Sequence, residues 1–129
     1  WKKCVELNEN ILVLEHDSKV VSNTFLQPFT DVLHLDNHRW IEPDPDLGTA
    51  PIVQDFNWFR KGERQLKGTY GYVIKPHAAK RLIQGAYEDG ITASDMFVKD
   101  KYVKIEVVTP RAVMVTNRDS LTVEKEFYI

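Results

Sequence analysis

The chain predicts one α/β domain built on a mixed sheet flanked by helices, and three segments carry that prediction. Ile11-Leu12-Val13-Leu14 is an apolar run with polar residues on both sides, Thr69–Ile74 reads as a strand that feeds a helix opening at Pro76, and Val103–Val108 followed by Ala112–Thr116 supplies strands late in the chain. Strand and helix signals thus alternate along the sequence, as they do where helices cross over a sheet.

Taken in order, Trp1-Lys2-Lys3-Cys4-Val5-Glu6-Leu7 reads as the last turns of an amphipathic helix, and Asn8-Glu9-Asn10 as a turn. Ile11–Leu14 has no polar alternation, which suits a strand covered on both faces, as in a parallel sheet between helices. Ser22 to Phe29 predicts a short helical turn capped by Ser22 or Asn23 and stopped near Pro28. Asp31–Leu35 is a second short strand. From Asp36 to Lys67 the chain is irregular and rich in Pro and Asp, and Glu42 to Gly48 suits neither helix nor central strand. Trp40, Phe56, Trp58 and Phe59 argue against plain disorder there, so a partly ordered flap is expected.

Pro76 opens a helix that runs to about Glu88 and stops at Gly90, with Ala79, Leu82, Ile83, Ala86 and Tyr87 as its core stripe. Thr92 or Ser94 caps a short helix holding Asp95, Met96, Phe97 and Val98. Val103, Ile105 and Val107 alternate with Lys104 and Glu106, which predicts a half-buried strand, and Pro110-Arg111 allows a hairpin-like or corner connection to Ala112–Thr116. Asn117 to Ile129 is polar until Phe127-Tyr128-Ile129, an edge strand or docking arm.

At 129 residues, 43% hydrophobic and 28% charged, the chain has ordinary globular composition. A formal net charge of −2 gives no electrostatic footprint for nucleic acid, and no apolar run is long enough to span a bilayer. Cys4 is the one cysteine, which excludes an internal disulfide and cysteine-rich zinc sites and fits a reducing, cytoplasmic compartment. His34 reads as a core residue, and His38 and His77 lack partners at metal-binding spacing. Cys4 has no adjacent base, and neither Gly-x-Ser-x-Gly nor a Gly-rich phosphate loop is present.

The chemistry concentrates after the first strand, at Glu15-His16-Asp17. Two carboxylates two residues apart point to one side if the strand stays extended, and there they can share a divalent cation. The competing reading is a solvated acidic turn. Tyr70 and Tyr72 flank Gly71 and share a face; they line a pocket or pack, and packing suits Tyr72 better.

The order of these pieces resembles the family 25 glycosyltransferases, which include lipooligosaccharide galactosyltransferases and collagen galactosyltransferase domains. The resemblance rests on the Trp1 helix running into Ile11-Leu12-Val13-Leu14-Glu15-His16-Asp17-Ser18, which is similar to that family's apolar strand and Glu-Asp-Asp signature. It continues through Asp31-Val32-Leu33-His34-Leu35, Gly68-Thr69-Tyr70-Gly71-Tyr72-Val73-Ile74, Ala78-Ala79-Lys80-Arg81-Leu82, and Ala93-Ser94-Asp95 before a strand ending in Thr109-Pro110. It implies a partial GT-A-like fold whose N-terminal nucleotide-binding half is missing, since Trp1 would sit just before the acidic signature. It also implies metal-assisted, inverting transfer of a hexose, galactose or glucose, from a nucleoside-diphosphate sugar to a glycan or protein acceptor, with the fragment alone inactive.

On that resemblance Asp17 contacts Mn²⁺ or Mg²⁺ directly, Glu15 meets the metal through water or holds the donor ribose, Tyr70 lines the donor site, and Asp95 is the general base. The alternative for Asp95 is helix capping. His16 stands where the family has its central Asp. Either it points away from the metal, as strand alternation favours, or it is a ligand that suits Mn²⁺ better than Mg²⁺. The contrasting expectation is a non-catalytic α/β binding or assembly module that keeps the scaffold and pairs with another copy through open sheet edges.

Overall fold

The computed structural model describes residues 1–36, 50–66 and 71–115, a mixed α/β arrangement with few helices. Helix α1 (Lys2–Leu7) ends at Asn8, whose left-handed conformation (φ 51°) turns the chain into β1 (Ile11–Leu14). Next come β2 (Ser18–Val20), a 3₁₀ turn at Thr24–Leu26, and β3 (Val32–His34). Strand β4 (Ile52–Asp55) and the short pair β5 (Phe59–Arg60) and β6 (Glu63–Arg64) lead to β7 (Gly71–Ile74). Helix α2 (Pro76–Asp89), the four-residue α3 (Ser94–Phe97), β8 (Ile105–Thr109) and β9 (Val113–Val115) complete the described chain.

Five strands form the main sheet in the order β1-β7-β3-β8-β4, and β3 and β8 are its one parallel pair among the described strands. Strand β9 leaves the sheet at a corner and pairs with β2. Period-two alternation sorts the core into two faces. Val32, Tyr72, Ile74, Ile105 and Val107 meet Cys4 of α1 and Ala78, Ala79 and Leu82 of α2 on one face. Leu33, Val73, Val108 and Val113 gather on the other, with Phe25 and Phe29 of the 3₁₀ segment packed against them.

Several expectations change here. Ile11–Leu14 is the sheet's edge, antiparallel to β7, and not a strand covered on both faces: Leu12 and Leu14 remain 38% and 41% exposed. The fully covered strands are β3 and β7, and β8 is nearly so, against the half-buried reading of Val103–Val108. The segment expected as an irregular flap contributes β4, antiparallel to β8, and the β5–β6 hairpin turned by Lys61 and Gly62, both at positive φ. Phe56 within it is buried, whereas Trp40 lies outside the described residues. In α2 the buried stripe is Ala78, Ala79, Leu82 and Gly85, and Tyr87 is 77% exposed. Helix α2 itself begins with Pro in the first turn, where no N–H is needed, and ends at Gly90 (φ 77°), as the sequence predicts. Among the described residues no helix is long and apolar enough to cross a membrane.

Candidate functional site

Strand directions bring many polar residues to one end of the sheet. Leu14, the last residue of β1, lies opposite Gly71, the first of β7, and the Leu35 N–H donates to the Gly71 carbonyl from the other side at 3.1 Å. The carboxyl ends of β1, β3 and β8 therefore converge on the start of β7. In open α/β sheets, ligand crevices form outside the carboxyl ends of strands. Gly71 admits this convergence: a Cβ there would stand 2.9 Å from Val113 and 3.1 Å from Leu14, where β9 crosses the start of β7.

Glu15 and Asp17 follow β1 at this end, though not in extended register. The ladder to β7 stops at Leu14, and the Ser18 N–H donates to the Glu15 carbonyl at 3.1 Å, so residues 15–18 form a tight turn into β2. Asp17 is buried, Glu15 half-buried and His16 exposed.

Two residues singled out by no sequence motif stand beside them in the topology. Asp36, just past β3, is buried with its side chain 2% exposed, and the Arg111 guanidinium lies 3.6 Å from its Oδ1. This ion pair bridges the carboxyl ends of the parallel strands β3 and β8. The corner holding Arg111 is clamped by the segment after β2: the Ser22 hydroxyl donates to the Arg111 carbonyl (3.0 Å), the Thr24 hydroxyl to the Pro110 carbonyl (2.9 Å), and the Val21 N–H to the Ala112 carbonyl (2.8 Å). The Ala112 N–H in turn donates to the Leu35 carbonyl at 2.9 Å. His34 is fully buried, edge-on to Phe56, with Nδ1 3.5 Å from both the Gly71 carbonyl and the Asp36 nitrogen. A signal for Asp36 was present in the sequence: like Glu15, it directly follows an apolar strand.

Tyr72 is buried in the core as expected, and its hydroxyl accepts the Trp1 indole N–H at 3.1 Å. Burial pushes its phenol above the ordinary range, against a smaller opposing effect of that hydrogen bond. Trp1 stacks on Phe97 (5.7 Å) and Phe97 on Tyr102 (5.1 Å), so an aromatic series ties α3 to the second residue of β7. Asp95 lies in α3, but its side chain, like all of Tyr70, is outside the described residues.

The opposite end of the sheet holds another buried carboxylate, Asp31. The Asp31 carboxylate accepts from the Lys104 N–H, His77 Nε2 and the Arg81 guanidinium, each at 2.7 Å, while its carbonyl accepts the Lys75 N–H at 3.1 Å. Burial alone would raise the Asp31 pKa. The Lys104 N–H, His77 and Arg81 together outweigh burial and hold the carboxyl below its ordinary range. This cluster fastens β3 to α2 and to the start of β8.

Among the described residues no three His, Cys, Asp or Glu side chains gather closely enough to hold one ion. Asp17 and Glu15 are hard oxygen donors of the kind Mg²⁺ and Mn²⁺ prefer, and such ions commonly take one or two protein carboxylates and complete their shell with substrate phosphates and water. Comparison of the chain with protein-family models, with curated proteins and with solved structures returns no match.

Proposed function

We propose that the chain is part of a metal-assisted hexosyltransferase of GT-A type, acting on a nucleoside-diphosphate sugar and a glycan or protein acceptor. The observation that carries this reading is the convergence of a buried Asp17 and the Asp36–Arg111 pair on the carboxyl ends of β1, β3 and β8. That arrangement offers oxygen donors for a cation and a guanidinium for phosphate within one end of one sheet.

In the proposed reaction the acceptor hydroxyl oxygen bonds to the anomeric carbon of the donor as the bond from that carbon to the diphosphate oxygen breaks. The bonding pair leaves with the diphosphate, and the hydroxyl proton passes to a carboxylate base, for which Asp95 is the candidate. Asp17, with Glu15 meeting the ion through water or holding the donor ribose, would hold a divalent ion, which would supply Lewis-acid neutralisation of the leaving diphosphate. Arg111, positioned by Asp36, binds the same phosphates. Tyr70 is assigned to the donor site by resemblance, and exposed His16 takes no part in the cation shell.

Titrating Mn²⁺ in the presence and absence of uridine diphosphate, on the whole transferase to which this reading assigns the chain and on its Asp17→Ala variant, tests this. The expected result is mutual tightening of Mn²⁺ and nucleotide in the wild type that Asp17→Ala removes. No coupling in the wild type, or equal coupling in the variant, rejects the reading in favour of a non-catalytic module.

A further inference from the structure

The face of the sheet away from α1 and α2 carries an open cleft of about 350 Å³, at the end opposite Asp17. Its walls are Leu12 and Val73 from β1 and β7, Phe25, Leu26 and Phe29 from the 3₁₀ segment, and Lys75 at the first turn of α2. Leu26 is 70% exposed and Leu12 38%, so the apolar wall faces outward. The volume lies in the lower part of the range for small-molecule sites, about 300–1,000 Å³.

The charge in this cleft is what identifies a ligand class. Two lysines among the described residues are half-buried, Lys75 and Lys99. Lys99 pairs with Glu63 at 3.2 Å. The Lys75 ammonium instead stands 5.0 Å over the Phe29 ring, and among the described residues no carboxylate pairs with it. Exposed lysines elsewhere are solvated by water on most sides, but a half-buried ammonium against an aromatic wall has lost part of that shell. It also belongs to the N-cap residue of α2, the end of the helix dipole that disfavours a cation and favours an anion. The amides of Asn10 and Gln27 line the same cleft and add hydrogen-bonding capacity beside it.

We propose that this cleft binds a small amphipathic carboxylate, a medium-length alkyl chain lying along Leu12, Leu26 and Val73 with its carboxylate against Lys75. The site is separate from the proposed transfer chemistry and does not depend on it. A neutral alcohol of equal chain length gains the same apolar contact but leaves the ammonium unmatched. Each two methylenes added to the ligand should tighten binding by about tenfold until the cleft is filled.

The test is a titration of the full chain with decanoate and with 1-decanol, both below their aggregation limits, followed by backbone amide NMR shifts. Decanoate is expected to give saturable shifts centred on Leu12, Leu26, Val73 and Lys75, with decanol at least about tenfold weaker. Lys75→Gln should remove the difference between the two ligands. Leu26→Asn, at an exposed position that the fold does not need, should weaken both by severalfold. Equal affinity for acid and alcohol in the wild type, or shifts scattered over the molecule, overturns the proposal. So does concentration-dependent self-association that Leu26→Asn abolishes and decanoate leaves unchanged, because the cleft is then covered by a second copy.

Discussion

At the amino end of β3, Asp31 is enclosed by three donors of its own chain; at the carboxyl end of the same strand, Asp36 faces an arginine that comes from a corner after β8. The two aspartates are similarly buried and five residues apart, yet their surroundings differ in origin. Asp31 is satisfied by a backbone N–H and by α2, the elements that must meet for the sheet to be covered at all. Asp36 and Asp17 stand where three strands end, and the arginine that meets Asp36 comes from the corner beyond β8. The donors around Asp31 join β3 to α2 and β8, and the proposed reading gives Asp17 and Asp36 a different task, meeting a ligand at the strand ends.

The largest expected difference between the two ends is in transfer activity. On the proposed transfer reading, Asp17→Asn in the whole protein should lower turnover by at least about 100-fold, measured with a uridine-diphosphate hexose, with a smaller effect on the thermal midpoint than on activity. Asp31→Ala should do the reverse, costing about 2–3 kcal/mol in denaturant unfolding without altering coupling between Mn²⁺ and nucleotide. The Asp31 carboxyl titrates below its unfolded value of 3.8, so its contribution is complete above that pH and is lost as the pH falls through the lower, folded-state value. Wild type should consequently lose stability more steeply than Asp31→Ala below about pH 4.

Smaller effects sharpen the comparison. Arg111→Lys keeps the charge but loses the planar fork, and nucleotide affinity should fall about tenfold in a direct binding titration. His16→Asp adds a carboxylate at an exposed position of the acidic turn and should tighten Mn²⁺ by about two- to fivefold at low salt. A larger gain would mean that residue 16 enters the cation shell.

Local chemistry made α2 legible: proline in its first turn and glycine past its end are signals that need no knowledge of distant contacts. The rank of the strands was not legible in the same way. Ile11–Leu14 is as aliphatic as Val32–Leu33 or Val73–Ile74, and only the pairing of the whole sheet leaves Leu12 and Leu14 at an edge. Strand β4 was hidden because Ile52–Asp55 is short, follows a proline-rich stretch, and takes its partner, β8, from some fifty residues further on. At the candidate site the acidic turn could be read from its residues, whereas the pairing of Asp36 with Arg111 could not, since it requires β3 and β8 to run side by side. Tyr70 and the side chain of Asp95 lie outside the described residues, so their assignment rests on resemblance alone.

Trp1 joins two elements of the fold, its indole nitrogen bonded to Tyr72 of β7 and its ring laid on Phe97 of α3. An indole held this way is an intrinsic optical gauge: lifting α3 from the sheet would break the stack, bring solvent to the ring and redden its emission. With Trp58→Phe and Trp40→Phe removing the background, movement of α3 against the sheet could be followed in stopped flow without any attached dye.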